Sequence, residues 1–176
     1  YNIDRLYLNN LEYLSDADRA KYLSKKPILK NFYKTPANLY EVHVKDFDLV
    51  VNPVFQYTLS KESNSDENLF LNTRGVSVRG RIANKIGFFS YITDNQERDP
   101  AYVRQWVSDR KAVPGQGLYK AFKGLGYDYF DARGYFTFNV TKYIDVAFGY
   151  DKNFIGNGHR SLFLSDFGNN NLFLKL

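Results

Sequence analysis

Charged side chains recur at regular intervals from residue 79 onward. Five of them have the parity opposite to that of the apolar residues in their segments: Arg79, Arg81, Arg133, Asp145 and Asp151. Residues of one parity lie on one face of a strand. These charges could attract an acidic polymer, or they could form ion pairs that brace the fold. Folding the second half of the chain as a hairpin brings Arg133 opposite Asp151, which favours pairing.

Aromatic and basic residues in two connecting segments could bind a saccharide. Tyr102 and Trp106 lie in a short helical-looking stretch after Pro100, and aromatic rings stack on the faces of sugars. The alternative is that Trp106 anchors its own connection to the rest of the fold. Three basic residues that follow a predicted strand are candidates for binding an anionic saccharide: Lys152, His159 and Arg160.

The carboxylates do not form a hydrolytic pair. A glycosidase needs two carboxyl groups about 5–9 Å apart around a sugar cleft. Asp128 and Asp131 have opposite strand parity. Asp145 and Asp151 lie on one strand, about 20 Å apart.

Other catalytic groups are also absent from the sequence pattern. The chain has 0 Cys, which excludes thiolate chemistry and CxxC zinc sites. His43 and His159 lack a metal-ligand spacing, and Ser161 lacks a nucleophile elbow. We expect a binding protein and not an enzyme, with no metal and no cofactor. Because the net charge of +5 is spread along the chain, nucleic acid is not an expected partner.

Strands must position these residues, because polar and apolar residues alternate from Asp46 onward. The pattern predicts two hairpins with tight turns at 83–85 and 141–143. The first hairpin pairs Ile82 with Ile86, Gly80 with Phe88 and Val76 with Ile92. The second pairs Val140 with Ile144, Phe138 with Val146 and Phe136 with Phe148, and it places Asn139 opposite Asp145.

The tight turns alternate with long polar connections at 61–68, 94–126 and 152–171. Outer-membrane barrels have short periplasmic turns and longer extracellular loops. We therefore predict an all-β fold in which residues 46–176 form roughly six antiparallel strands. These strands would be the N-terminal part of a larger transmembrane β-barrel, incomplete as it stands. The alternative is a soluble, lectin-like β-sandwich.

Residues 1–45 are predicted to be a helical and irregular leader in the periplasm. Leu6, Leu8, Leu11 and Leu14 have mostly helical spacing. Ser15 is a suitable N-cap for a second short helix that extends to Leu23.

Two segments resemble a known family. Residues 149–166, GYDKNFIGNGHRSLFLSD, are similar to a signature of the Wzi-like capsule-assembly barrels, particularly their Bacteroidetes branch, which includes gliding-motility proteins. Residues 30–53, with FYKTPANLYEVHVKDFDLVVNP, are similar to the segment that leads into the first strand of those proteins. The chain departs from the W-G-x-G pattern of the family, because residues 154–158 read FIGNG.

The resemblance implies a barrel of roughly sixteen to eighteen strands in the bacterial outer membrane, with a periplasmic helical element. It implies surface polysaccharide attachment, capsule assembly or gliding motility, with membrane lipid and surface polysaccharide as partners. The alternative is a structural subunit of an outer-membrane secretion or motility complex, such as one associated with type 9 secretion, without a glycan ligand.

Overall fold

The computed structural model describes residues 15–22, 27–35, 37–63, 65–83, 85–156, 163–165 and 167–176. The described residues form one open antiparallel sheet with the strand order β1-β2-β3-β4-β6-β7-β8, and β5 pairs with β6. The helices are α1 (Asp16–Tyr22) and α2 (Ala101–Arg110). The strands are β1 (Tyr40–Val44), β2 (Phe47–Lys61), β3 (Asn68–Ile82), β4 (Ile86–Arg98), β5 (Lys120–Phe122), β6 (Gly126–Thr141), β7 (Ile144–Asp151) and β8 (Asn171–Lys175).

Helix α1 begins at the predicted cap. The backbone N–H of Asp18 donates to Ser15 Oγ over 3.3 Å, as an N-cap requires. Asp16 and Asp18 in the first turn suit the positive end of the helix dipole. The helix predicted from the four leucines before Ser15 lies outside the described residues. Neither described helix has the length and apolar content needed to cross a membrane.

The register of the first predicted hairpin is confirmed. β3 and β4 pair without interruption from Phe70 and Arg98 down to Ile82 and Ile86. All three predicted pairs occur: Ile82 with Ile86, Gly80 with Phe88 and Val76 with Ile92.

The second hairpin is confirmed except at its tip. Phe138 pairs with Val146, Phe136 with Phe148 and Asn139 with Asp145. The predicted pair of Val140 with Ile144 is wrong, because the register shifts between Asn139 and Thr141 and Ile144 faces Thr141. β6 thus carries one extra residue here, as in a β-bulge.

Two predicted boundaries also change. The irregular leader was expected to reach residue 45, but Tyr40–Val44 form β1 and pair with β2. The connection expected from Asp94 to Gly126 is shorter, because β4 continues to Arg98 and α2 and β5 lie within the rest. The helical-looking stretch after Pro100 is confirmed as α2.

The two faces of the sheet differ in chemistry. Residues paired directly across antiparallel strands share a face, so the register defines both faces from β1 to β8. One face, here called the apolar face, is exposed: Phe55 is 77% exposed, Phe130 65% and Leu172 68%. Its other exposed large residues include Tyr57, Leu59, Phe136, Phe148, Tyr150 and Leu174. An ion pair between Arg74 and Asp94, at 2.9 Å, lies on the same face. On β3 and β4 it marks the limit of the exposed apolar side chains, here called the apolar band.

The opposite face, here called the polar face, contains most of the buried polar residues. Thr93 is 1% exposed, Asn95 5% and Asp131 6%. A soluble sheet that covers one face with a core has the reverse arrangement. The apolar side chains are therefore directed away from the protein interior.

The polar face is covered at one end by α2 and the residues after it. Val107, Val113, Tyr127 and Tyr129 form a buried cluster, against which Val103, Trp106 and Tyr119 pack. This is the end that carries the long connections, here called the loop end. The tight turns at 45–46 and 142–143, and the short connection between Ile82 and Ile86, lie at the other end, here called the turn end.

Close strand packing predicts a test at Gly75. A Cβ added there would lie 2.7 Å from Thr93 Cα and closer still to the Ile92 carbonyl oxygen. Because neighbouring backbone must then move, Gly75→Ala should lower the free energy of unfolding by about 1–3 kcal/mol. Urea unfolding followed by Trp106 fluorescence measures the change. Gly168→Ala is the matched control, since its nearest contact is 3.8 Å away. Equal stabilities of the two variants would contradict the packing argument.

Candidate functional site

Most of the predicted charged residues on the polar face contact charged or amide side chains on that face. The Arg81 guanidinium donates to Asp48 Oδ2 through Nη2 at 2.6 Å and through Nε at 2.9 Å. His43 Nδ1 lies 2.8 Å from the other oxygen of Asp48. Asp48 therefore joins β1, β2 and β3 at the turn end.

A second group forms around Arg133. Its guanidinium lies 3.5 Å from Asp131 and 3.6 Å from Asp151, and it stacks 4.3 Å above the ring of Tyr91. The predicted proximity of Arg133 and Asp151 is confirmed. Asp131 also accepts a hydrogen bond of 2.8 Å from Asn170. This group links β4, β6 and β7 to the segment before β8.

Asp145 is paired differently from the other predicted charges. Asn139 Nδ2 donates a hydrogen bond to its carboxylate across the second hairpin. The contact follows the predicted register.

Arg79 lines an open cleft of about 550 Å³ on the polar face, here called the Arg79 cleft. Tyr33, Asn38, Asn52 and Phe89 line it as well. Its wall is fixed by two hydrogen bonds: the Leu39 N–H donates to Asn52 Oδ1 at 2.8 Å, and Asn52 Nδ2 donates to Asn38 Oδ1 at 3.0 Å. The volume is within the range of ligand sites.

Three rings beside the cleft form what we call the aromatic row: Phe89, Tyr135 and Phe173. The ring centroids of Phe89 and Tyr135 are 5.3 Å apart, and those of Tyr135 and Phe173 are 6.4 Å apart. Sequence reasoning missed this row. All three residues have polar-face parity, a signal that places them on one face of the sheet but not next to one another.

The five predicted saccharide-binding residues are not one cluster. Tyr102 is 75% exposed on α2. Trp106 packs against the cluster beneath α2, with the Arg110 guanidinium 4.6 Å from its ring, so it makes the anchoring contact. Lys152 Nζ donates to the Gly115 carbonyl at 2.9 Å. His159 and Arg160 lie outside the described residues. A glycan-binding role for the five stays a prediction.

A pair of acids beneath α2 was also missed by sequence reasoning. Glu97 is 9% exposed and accepts a hydrogen bond of 3.1 Å from Tyr129 Oη. Glu97 and Asp99 lie beyond the Arg74–Asp94 pair, outside the apolar band. Burial, and after it the charge of Asp99, raise the pKa of Glu97 to about 7. Burial also raises the pKa of Asp99.

The two carboxylates first considered as a hydrolytic pair are separated by the sheet. Asp128 pairs in register with Gln96 on the apolar side and accepts a hydrogen bond of 3.2 Å from its amide. Asp131 is buried on the polar face. They cannot act together on one bond.

Comparison with known proteins gives no relative: no family model, curated protein or solved structure matches the chain.

The pKa of Glu97 predicts a pH dependence of stability. A carboxyl group whose pKa is raised on folding stabilises the folded state while protonated, and this contribution is lost as pH rises. Between the ordinary value of 4.5 and about 7, the free energy of unfolding should fall by on the order of 3 kcal/mol. Glu97→Gln should remove most of this slope, as measured by urea unfolding across that range.

Asp109→Asn is the control for Glu97→Gln, because Asp109 is exposed on α2. It should leave the slope unchanged. A Glu97→Gln slope equal to that of the wild type would exclude the buried acid as its source.

The packing of Trp106 predicts that it holds α2 on the sheet. Trp106→Ala should weaken docking by about 2 kcal/mol and speed amide exchange in α2 by about tenfold or more. Hydrogen–deuterium exchange of residues 101–110 is the measurement. Tyr102→Ala, one turn away and exposed, should change the rate by less than about twofold. Similar rates in both variants would refute the anchoring role.

Proposed function

We propose that the chain forms part of an outer-membrane β-barrel that binds a surface polysaccharide and does not act by catalysis. The observation that carries the proposal is the exposed apolar face. It extends over β2, β3, β4, β6, β7 and β8 and lies opposite a face of paired charges. Soluble monomers rarely expose contiguous apolar patches larger than a few hundred Å².

Lipid is the occupant that suits this face best. Strands of a transmembrane barrel alternate apolar residues toward lipid with polar residues toward the lumen. The long strands support this, since β3 runs from Asn68 to Ile82 and β6 from Gly126 to Thr141. About 9–11 tilted residues suffice to cross a bilayer.

The connections support an orientation. The tight turns would lie in the periplasm and the long connections, including α2, at the cell surface. Asn38 and Leu39, just before β1, are the described residues that bear on the position of the N-terminal segment under this orientation. Both contact Asn52 on the polar face, so these two residues would lie on the lumen side of the barrel wall.

Polysaccharide as the ligand is supported by the resemblance of residues 30–53 and 149–166 to the Wzi-like barrels. A role in capsule assembly or in gliding motility follows from the same resemblance. The aromatic rings and the cleft on the polar face are suitable contacts for a sugar chain.

A structural subunit of an outer-membrane complex is the second candidate. The observation that favours it is the pairing of charges on the polar face, as in Arg81 with Asp48 and Arg133 with Asp151. Paired charges brace a barrel and do not need a ligand. This candidate shares the membrane location but predicts no saccharide binding.

The membrane location is tested by fractionation of cells and by heat-dependent mobility on a gel. We expect the protein in the outer membrane with a heat-dependent shift. Phe136→Lys places a charge on the apolar face and should destabilise insertion by about 2–4 kcal/mol, which lowers the yield of the heat-modifiable form.

Asn139→Lys, on the same strand but on the polar face, is the matched control and should insert normally. If the protein is recovered in the aqueous phase without a shift, the barrel is wrong and a soluble sandwich remains. If both lysine variants insert equally well, the apolar face does not contact lipid.

A further inference from the structure

The aromatic row follows one line of register across the sheet. Arg79 pairs with Phe89, Phe89 with Tyr135, and Tyr135 with Gly149. Gly149 in turn pairs with Phe173. This line of register therefore crosses five strands at right angles to the chain direction, from Arg79 on β3 to Phe173 on β8.

Gly149 allows the rings of Tyr135 and Phe173 to approach each other. Their strands are separated by β7, yet their centroids are only 6.4 Å apart. A Cβ at Gly149 would meet Tyr135 at its Cα and Cβ. The absence of a side chain at this position thus leaves the row continuous.

The rings are half-buried, so part of each is accessible on the polar face. Adjacent strands are about 4.8 Å apart, which is close to the length of one sugar ring in a polysaccharide. The ring centroids are 5.3 Å and 6.4 Å apart along the row, so neighbouring rings can contact successive sugars. Groups that can hydrogen-bond to hydroxyls lie at both ends: Arg79 and Asn52 in the cleft, and Lys175, whose Nζ is 4.5 Å from the Phe173 ring.

We propose that the aromatic row and the Arg79 cleft form a binding site for an oligosaccharide that lies across the strands. The inference rests on the polysaccharide-binding part of the proposed function and locates it. A pyranose ring presents apolar C–H groups on its faces and hydroxyls at its edge. The first suit the three rings, and the second suit the charged and amide groups beside them. An alkyl ligand would suit the rings but not the charged and amide groups beside them.

The test is isothermal titration of the purified protein in detergent with maltohexaose and with a hexamer of galacturonic acid. The two probes share the sugar-ring chemistry and differ in charge. We expect at least one of the two probes to bind. Tyr135→Leu and Phe89→Leu should each raise the dissociation constant of that probe by about tenfold, or about 1.4 kcal/mol.

Phe136→Leu is the matched control, because Phe136 follows Tyr135 and lies on the apolar face. It should leave the dissociation constant unchanged. Circular dichroism and heat-dependent mobility establish that each variant is folded. Gly149→Ala gives an independent reading, because it disturbs the row without removing a ring, and it should also weaken binding.

No binding of either probe at millimolar concentration would overturn the site, as would equal affinities of wild type, Tyr135→Leu and Phe89→Leu. If the protein fractionates with the outer membrane but binds neither probe, the oligosaccharide site is wrong and the barrel is still supported. If the protein fractionates as soluble but still binds a probe through the aromatic row, the binding site is supported and the barrel is wrong.

Discussion

The structure depends on one constraint of antiparallel pairing: residues that face each other across two strands project to the same side of the sheet. The apolar residues of neighbouring strands therefore form one continuous face only in the observed register. A shift of one residue between β3 and β4 would turn the side chains of one strand to the opposite face. The ion pairs of Arg81 and Arg133, the aromatic row and the docking of α2 all rely on this alignment.

The sequence was sufficient to predict strand pairing where this constraint acts alone. Strict alternation next to short turns is sufficient to determine the pairs of the first hairpin and most of the second. The bulge near Val140 was not predictable, because one extra residue at a hairpin tip leaves the pattern on both sides intact. β1 has only five residues, too few for its alternation to stand out from the segment before it.

The end of β4 was missed for a different reason. Beyond the Arg74–Asp94 pair the pattern reverses: Gln96 and Asp128 are on the apolar side, while Leu69, Tyr127 and Tyr129 are on the polar side. The reversal arises because α2 covers the polar face there and provides a local core. Arg133 and Asp151 were predictable as neighbours from one hairpin. The aromatic row was not, since it joins strands that are distant in sequence, and the burial of Glu97 depends on a helix whose position the sequence does not reveal.

β4 and β6 are adjacent in the sheet, so everything between them, α2 and β5 included, is an insertion into one hairpin. Its two ends are already held by the strand pairing. Mutations that lengthen, shorten or exchange the insertion would not alter which residues of β4 and β6 meet. Selection can therefore change the connection between β4 and β6 while the sheet remains constant. This connection is a natural place for related sequences to diverge and for a foreign peptide to be introduced.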